Sequence, residues 1–172
     1  MRMGYVMAPG RGDVDLLLAR AADALQAEGM RLCGTVQTNT ECEGLGPCDM
    51  DVHVLPDGPV IRISQSLGPG ARGCRLDPGA LETAIAACER ALPSSDALVV
   101  NKFGKQEAAG RGFRALIGEA ITLGVPVLVG LNGLNQNAFE SFTGGAAEAV
   151  DPDVSTLADW LRAAVEAARR AA

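Results

Sequence analysis

Lys102 and Lys105 are the only lysines in a chain that has thirteen arginines, and they lie three residues apart. They follow the apolar run Ala97–Val100, in Asn101-Lys102-Phe103-Gly104-Lys105. Ammonium groups at the end of a buried strand can hold an anion as point charges. A second stretch, Gly73-Cys74-Arg75-Leu76-Asp77, leads into a helix start. Free amides, the helix dipole and Arg75, assisted by Arg72, suit an oxyanion there. The anion-binding set is therefore Arg72, Gly73, Cys74, Arg75, Asn101, Lys102 and Lys105. The third group is the thiols. Cys42 and Cys48 are spaced too widely for a zinc finger, yet with Cys74, Met50 and His53 they could form a soft-metal site. The metal set is Cys42, Cys48 and Cys74, while Cys33 and Cys88 fall on apolar faces and read as core.

Other chemistries are missing from the sequence. The first loop holds Gly10, Arg11, Gly12, Asp13, Val14 and Asp15, without the Gly-Lys-Ser/Thr of a phosphate-binding loop. Asp13 and Asp15 would repel a triphosphate, and Asp13 reads as a helix N-cap. Hydrolytic ATPases place a magnesium-binding carboxylate at a strand end, where this chain has Asn101 and Lys102. Asn101-Lys102 also lacks the aspartate of the guanine-reading Asn-Lys-x-Asp, since Gly104 stands there. His53 is the single histidine, and no Gly-x-Ser-x-Gly turn accompanies it.

These residues need elements to position them. Gly4–Met7 reads as a strand and Asp13 onward as a helix, with Val14, Leu17, Leu18, Ala21 and Leu25 at helical spacing. Arg31–Gln37 is a second strand. Asp49–Leu55 and Val60–Gln65 flank the turn Pro56-Asp57-Gly58-Pro59, which predicts an inserted β-hairpin. Its polar face gathers Asp51, His53, Arg62 and Ser64. Asp77-Pro78 starts a helix with an apolar stripe of Leu81, Ala84, Ile85, Cys88 and Leu92. Ala97–Val100, Val125–Leu131 and Ala147–Val150 read as strands, with one helix after Lys105 and a last one from about Ser155. In that last helix Leu157, Trp160, Leu161, Ala164 and Val165 point inward. The alternation predicts one α/β domain over residues 1–172, a three-layer, mostly parallel sheet, with the cysteine loop and hairpin inserted at about 38–75.

Composition narrows the partners. The 172 residues suit one domain. The net charge is −6 and aromatics are 3%, which excludes a phosphate-backbone or base-stacking nucleic-acid surface. No run of about 18 apolar residues spans a membrane, and no leader precedes the fold, so a cytoplasmic protein is expected. A homo-oligomer is left open.

Two resemblances attach to these residues. Leu98–Glu107, with the following helix and Val125–Leu131, resembles small bacterial and archaeal nucleoside-triphosphatases related to P-loop kinases. Their strand ends in Asp-Glu followed by Gly-Lys. Here Gly104-Lys105 matches, and Asn101 and Lys102 replace the acids. Cys42, Cys48-Asp49-Met50, Ile63-Ser64-Gln65, Gly73-Cys74-Arg75-Leu76-Asp77 and Asn101-Lys102-Phe103-Gly104-Lys105 together resemble the bacterial domain of unknown function 2478, over nearly the whole chain. That resemblance implies a P-loop nucleotidase fold with degenerate motifs and an association with molybdenum uptake. The expected function is a non-hydrolytic accessory protein that binds molybdate, tungstate or a phosphate group. One alternative is a divergent magnesium-dependent nucleoside-triphosphate phosphohydrolase, with Lys102 in place of the lost P-loop lysine. Another is a protein-interaction module without a ligand.

Overall fold

The structure, a computed structural model, describes residues 2–10, 12–40, 49–65 and 75–171. Its elements are β1 (Met3–Val6), α1 (Asp13–Ala27), β2 (Leu32–Thr40), β3 (Asp49–Leu55), β4 (Val60–Arg62), α2 (Pro78–Ala91), β5 (Ala97–Phe103), α3 (Lys105–Ala108), α4 (Arg114–Thr122), β6 (Val127–Leu131), α5 (Gln136–Thr143), β7 (Glu148–Val150) and α6 (Val154–Ala171). The strands form one sheet in the order β4-β3-β2-β5-β6-β1-β7. The pairings from β2 to β7 are parallel, and the hairpin β3–β4 adds two antiparallel strands at one edge.

Central strands buried on both faces need apolar side chains at every position. Leu98 and Val100 of β5 point to one face, while Ala97 and Val99 point to the other. Helices α2, α4 and α5 cover the first face through Leu81, Ile85, Leu116, Ile117 and Phe139. Helices α1 and α6 cover the second through Leu18, Leu25, Leu157, Leu161 and Val165. The few aromatics are concentrated on the first face. Phe103 meets Phe139 edge-on, with centroids 5.2 Å apart, and stacks with Phe142 at 5.8 Å.

The order of crossovers creates a crevice. From β1 the chain leaves across β6 and β5 to reach β2, and α1 lies on one face. From β6 it leaves across β1 to reach β7, and α5 lies on the other face. Adjacent strands whose connections depart in opposite directions leave a gap at their C-terminal ends, where α/β proteins bind ligands.

Several local features depart from the sequence reading. The cap of α1 is Gly12, in the left-handed region at φ +87°, rather than Asp13. The Asp13 carboxylate instead folds back onto Gly10, where a Cβ would collide with it. The hairpin's second strand ends at Arg62. Beyond it, Ser64 bridges Leu76, and Asp77 N–H donates to the Ile63 carbonyl at 2.7 Å. This ties the start of α2 to the hairpin. Asp77 caps α2 as expected, accepting from the amides of Gly79 and Ala80. The helix after Lys105 is split into α3 and α4 by Gly110 and Gly112, both at positive φ. Trp160 is half-buried rather than inward. Its ring lies against Gly4, its indole N–H donates to Glu148 at 2.9 Å, and Arg2 sits over it at 5.7 Å.

Two positions are tightly constrained. Gly34 has φ +111°, and a Cβ there would strike the Val99 carbonyl oxygen of the neighbouring strand. Gly34→Ala combines backbone strain with a backbone clash. It should unfold the protein or cut its stability by more than about 2 kcal/mol, read as a lowered denaturant midpoint. Asp96 is the second. It takes Arg31 Nη2 at 3.0 Å and Arg169 Nη2 at 2.9 Å, which clamps α6 to the turn before β5. The Arg31 guanidinium, aided by the Arg31 amide and Arg169, holds the Asp96 carboxyl far below the usual carboxylate range despite burial. A depressed native pKa gives stability that is present above the unfolded value of about 4 and lost as pH falls further. Asp96→Ala should therefore cost on the order of 2 kcal/mol at pH 7 and flatten the acid limb of a stability-versus-pH curve.

Candidate functional site

Asp15 lies in the first turn of α1, and its carboxylate is buried at 8% exposure. The Asn101 side-chain amide donates to Asp15 Oδ1 at 2.9 Å, and Gln37 Nε2 donates to Oδ2 at 3.3 Å. Asn101 Oδ1 in turn accepts the Gln37 backbone N–H at 3.0 Å. One cluster thus joins α1, β2 and β5 at the sheet's C-terminal edge. Asn101 reaches it by the regular alternation of β5, on the α1 face with Ala97 and Val99, and the register turns irregular after Val100. Such a bulge re-aims side chains. Here it turns Lys102 to solvent while Asn101 and Phe103 stay buried.

Glu107 shapes the next loop. Its carboxylate accepts Gly104 N–H at 2.9 Å and Phe113 N–H at 3.0 Å, closing the chain between β5 and α4. Gly112 must be glycine here, because it sits at φ +60° and a Cβ would enter the Glu107 carboxylate. Lys105 stands at the start of α3 within this closed loop.

Two recesses meet over this cluster. The larger, about 810 Å³, is lined by Thr35 and Gln37 of β2, by Met50 and Val52 of β3, by Ile63, Arg75 and Leu81, and by Asn101, Lys102, Lys105, Glu107 and Phe113. The smaller, about 180 Å³, lies at the crevice itself, between the turn after β1 (Ala8, Gly10, Gly12) and the end of β6 (Gly130, Leu131, Asn132). Gly12, Asp15, Asn101, Lys102 and Asn132 line both.

Of the anion-binding residues expected from sequence, Arg75, Asn101, Lys102 and Lys105 therefore share one cavity. Their states differ. Arg75 is engaged by Asp49 at 3.2 Å and by the Gln65 carbonyl at 3.3 Å. Asn101 serves the Asp15 cluster. The ammonium groups of Lys102 and Lys105 have no hydrogen bond or ion pair among the described residues. Arg72, Gly73 and Cys74 lie outside the described residues, as do Cys42 and Cys48, so the metal set does too. Cys33 and Cys88 are buried as expected, and Cys33 Sγ donates to the Cys88 carbonyl at 3.1 Å. On the hairpin, Arg62 pairs with Asp51 at 3.0 Å, while Ser64 bonds Asp49 and His53 faces Thr38.

Sequence reasoning missed Gln37, Thr35 and Glu107, and took Asp15 only as a repulsive charge. Gly110 and Gly112 downstream of Glu107 were the available signal for a stapled loop. Nothing local marked Gln37.

The start of α1 also differs from a phosphate cradle. A helix N-terminus attracts anions through free amides and its dipole. Here Asp13 and Asp15 already supply negative charge in the first turn.

The fold is that of the P-loop nucleoside-triphosphatases. The solution structure of a human cancer-related nucleoside triphosphatase superposes with a TM-score of 0.57, covering 87% of each chain at 19% identity. The chain belongs to the family described as protein of unknown function (DUF2478), whose model matches residues 3–160. It is also 37% identical over 164 residues to the molybdenum import ATP-binding protein ModC 2 of Bradyrhizobium diazoefficiens. That match takes in 94% of this chain but only 18% of the relative's length. Among the described residues, no helix is long and apolar enough to cross a membrane.

Asn101→Asp tests the cluster. Two carboxylates in one buried site repel, so the charged pair is disfavoured in the native state. Stability should fall by roughly 2–3 kcal/mol at pH 7 and recover in part as the pH is lowered through the raised pKa. The double variant Asn101→Asp/Asp15→Asn, which restores one acid and one amide, should return most of the loss in a denaturant titration.

Proposed function

We propose that this protein is a non-hydrolytic accessory protein that binds an oxyanion or phosphate group at the C-terminal edge of the sheet. The observation that carries the reading is that Lys102 and Lys105 both line one cavity, with no acidic partner among the described residues. Clefts with concentrated positive charge collect anions even on an acidic protein, because the local field decides. The degenerate motifs argue for binding without hydrolysis. The turn after β1 has no lysine, and the buried acid nearest the crevice, Asp15, is taken up by two amides. The likeness to the Bradyrhizobium molybdenum import protein supports a link to molybdenum, with molybdate or tungstate as the oxyanion.

A thermal-shift titration with molybdate, tungstate, phosphate and ATP, each with and without magnesium, checks this. At least one anion should raise the melting temperature. At 100 times its Kd it contributes about 2.7 kcal/mol. Lys102→Ala/Lys105→Ala should abolish the response without lowering the melting temperature of the unliganded protein by more than a degree or two. The absence of any shift in the wild type would sink the reading. Magnesium-dependent phosphate release that disappears in Lys102→Ala would instead establish a phosphohydrolase.

A further inference from the structure

We infer that the ligand is a phosphomonoester of an organic molecule, with its body in the larger recess and its phosphate at Lys102 and Lys105, rather than a bare oxyanion. This rests on the anion-binding reading and deepens it.

Size is the first reason. The larger recess measures about 810 Å³, within the roughly 300–1,000 Å³ of small-molecule pockets. A tetrahedral oxyanion would occupy one corner of it. The second reason is the wall. Beside polar groups such as Gln37, Asn101 and Glu107 it includes Val52, Ile63, Leu81 and Phe113, all at least 93% buried. An oxyanion surrounded by such side chains would lose its hydration without gaining donors. An organic body gains from the same contact.

Thr35 is the third reason, and it is independent of the charges. It is 1% exposed and lines the recess, yet its hydroxyl has no hydrogen-bond partner among the described residues. No fully enclosed side-chain polar atom lacks a partner among those residues. The Thr35 oxygen must therefore be reachable from the cavity. A buried hydroxyl without a protein partner is matched by water or a ligand. It would give the ligand's body an oriented polar contact beside those apolar side chains.

Charge selects the monoester. One phosphate group carries about −2 at neutral pH, which the two ammonium groups balance. The carboxylate of Asp15 borders both recesses and would repel a longer polyphosphate tail reaching toward the turn after β1.

The test is isothermal titration of the whole chain with six probes: phenyl phosphate, AMP, inorganic phosphate, molybdate, adenosine and ATP. Phenyl phosphate or AMP should bind at least about tenfold tighter than either inorganic anion, than adenosine and than ATP. Thr35→Val, an isosteric change, should weaken that monoester several-fold. Inorganic phosphate or molybdate binding as tightly as both monoesters overturns this inference while the anion-binding reading stands. ATP or adenosine binding tighter than both monoesters also overturns it. No binding by any probe overturns both.

Discussion

A buried carboxylate must be met by donors, and Asp15 finds them on two different strands. The amides of Asn101 and Gln37 reach it from β5 and β2, and Asn101 also holds the Gln37 backbone. Three elements distant in sequence are thereby fixed relative to one another at the mouth of the crevice. Hydrogen bonds to a charged group are stronger than neutral ones, and breaking such a cluster exposes a desolvated charge. Asn101 follows the strand's alternation toward α1, and the register change after Val100 leaves the next side chain, Lys102, facing solvent.

The hairpin changes what kind of site this can be. A parallel sheet alone offers a shallow crevice at its strand ends. Here β3 and β4 extend the sheet, and the bridge from Ser64 to Leu76 ties the start of α2 to the hairpin. The result is a walled cavity with Val52 and Ile63 on one side and Phe113 on the other. The new edge strand is only three residues long, is preceded by Pro59 and carries Arg62, features that discourage pairing with other chains.

Much of this architecture is legible in the sequence, because the period of apolar residues sets which face each element buries. The stripes of α1, α2 and α6, the strand at Val99 and the cap at Asp77-Pro78 all follow from local rules. The hairpin does too, with Asp51 and Arg62 on its polar face, and the structure sets them opposite each other. What escapes reading depends on contacts between distant segments. Asp15 looks like a charge that excludes phosphate until Gln37 and Asn101, 22 and 86 residues away, are seen to hold it. Arg75 looks available until Asp49, 26 residues earlier, is found against it. The extension of β5 beyond Val100 is set by pairing with β6, and Glu107 acquires its role only once Gly112 has turned the chain back.

The single tryptophan has a consequence of its own. Trp160 rests on Gly4 and bonds Glu148, so its ring senses the junction of α6 with β1 and β7. It packs on the α1–α6 face, whereas the larger cavity is walled mainly by residues of the opposite face. Excited selectively beyond the absorption of Tyr5, this one indole reports by its emission whether the C-terminal helix is docked. Its spectrum would stay silent while the cavity fills, which separates an optical record of folding from one of occupancy.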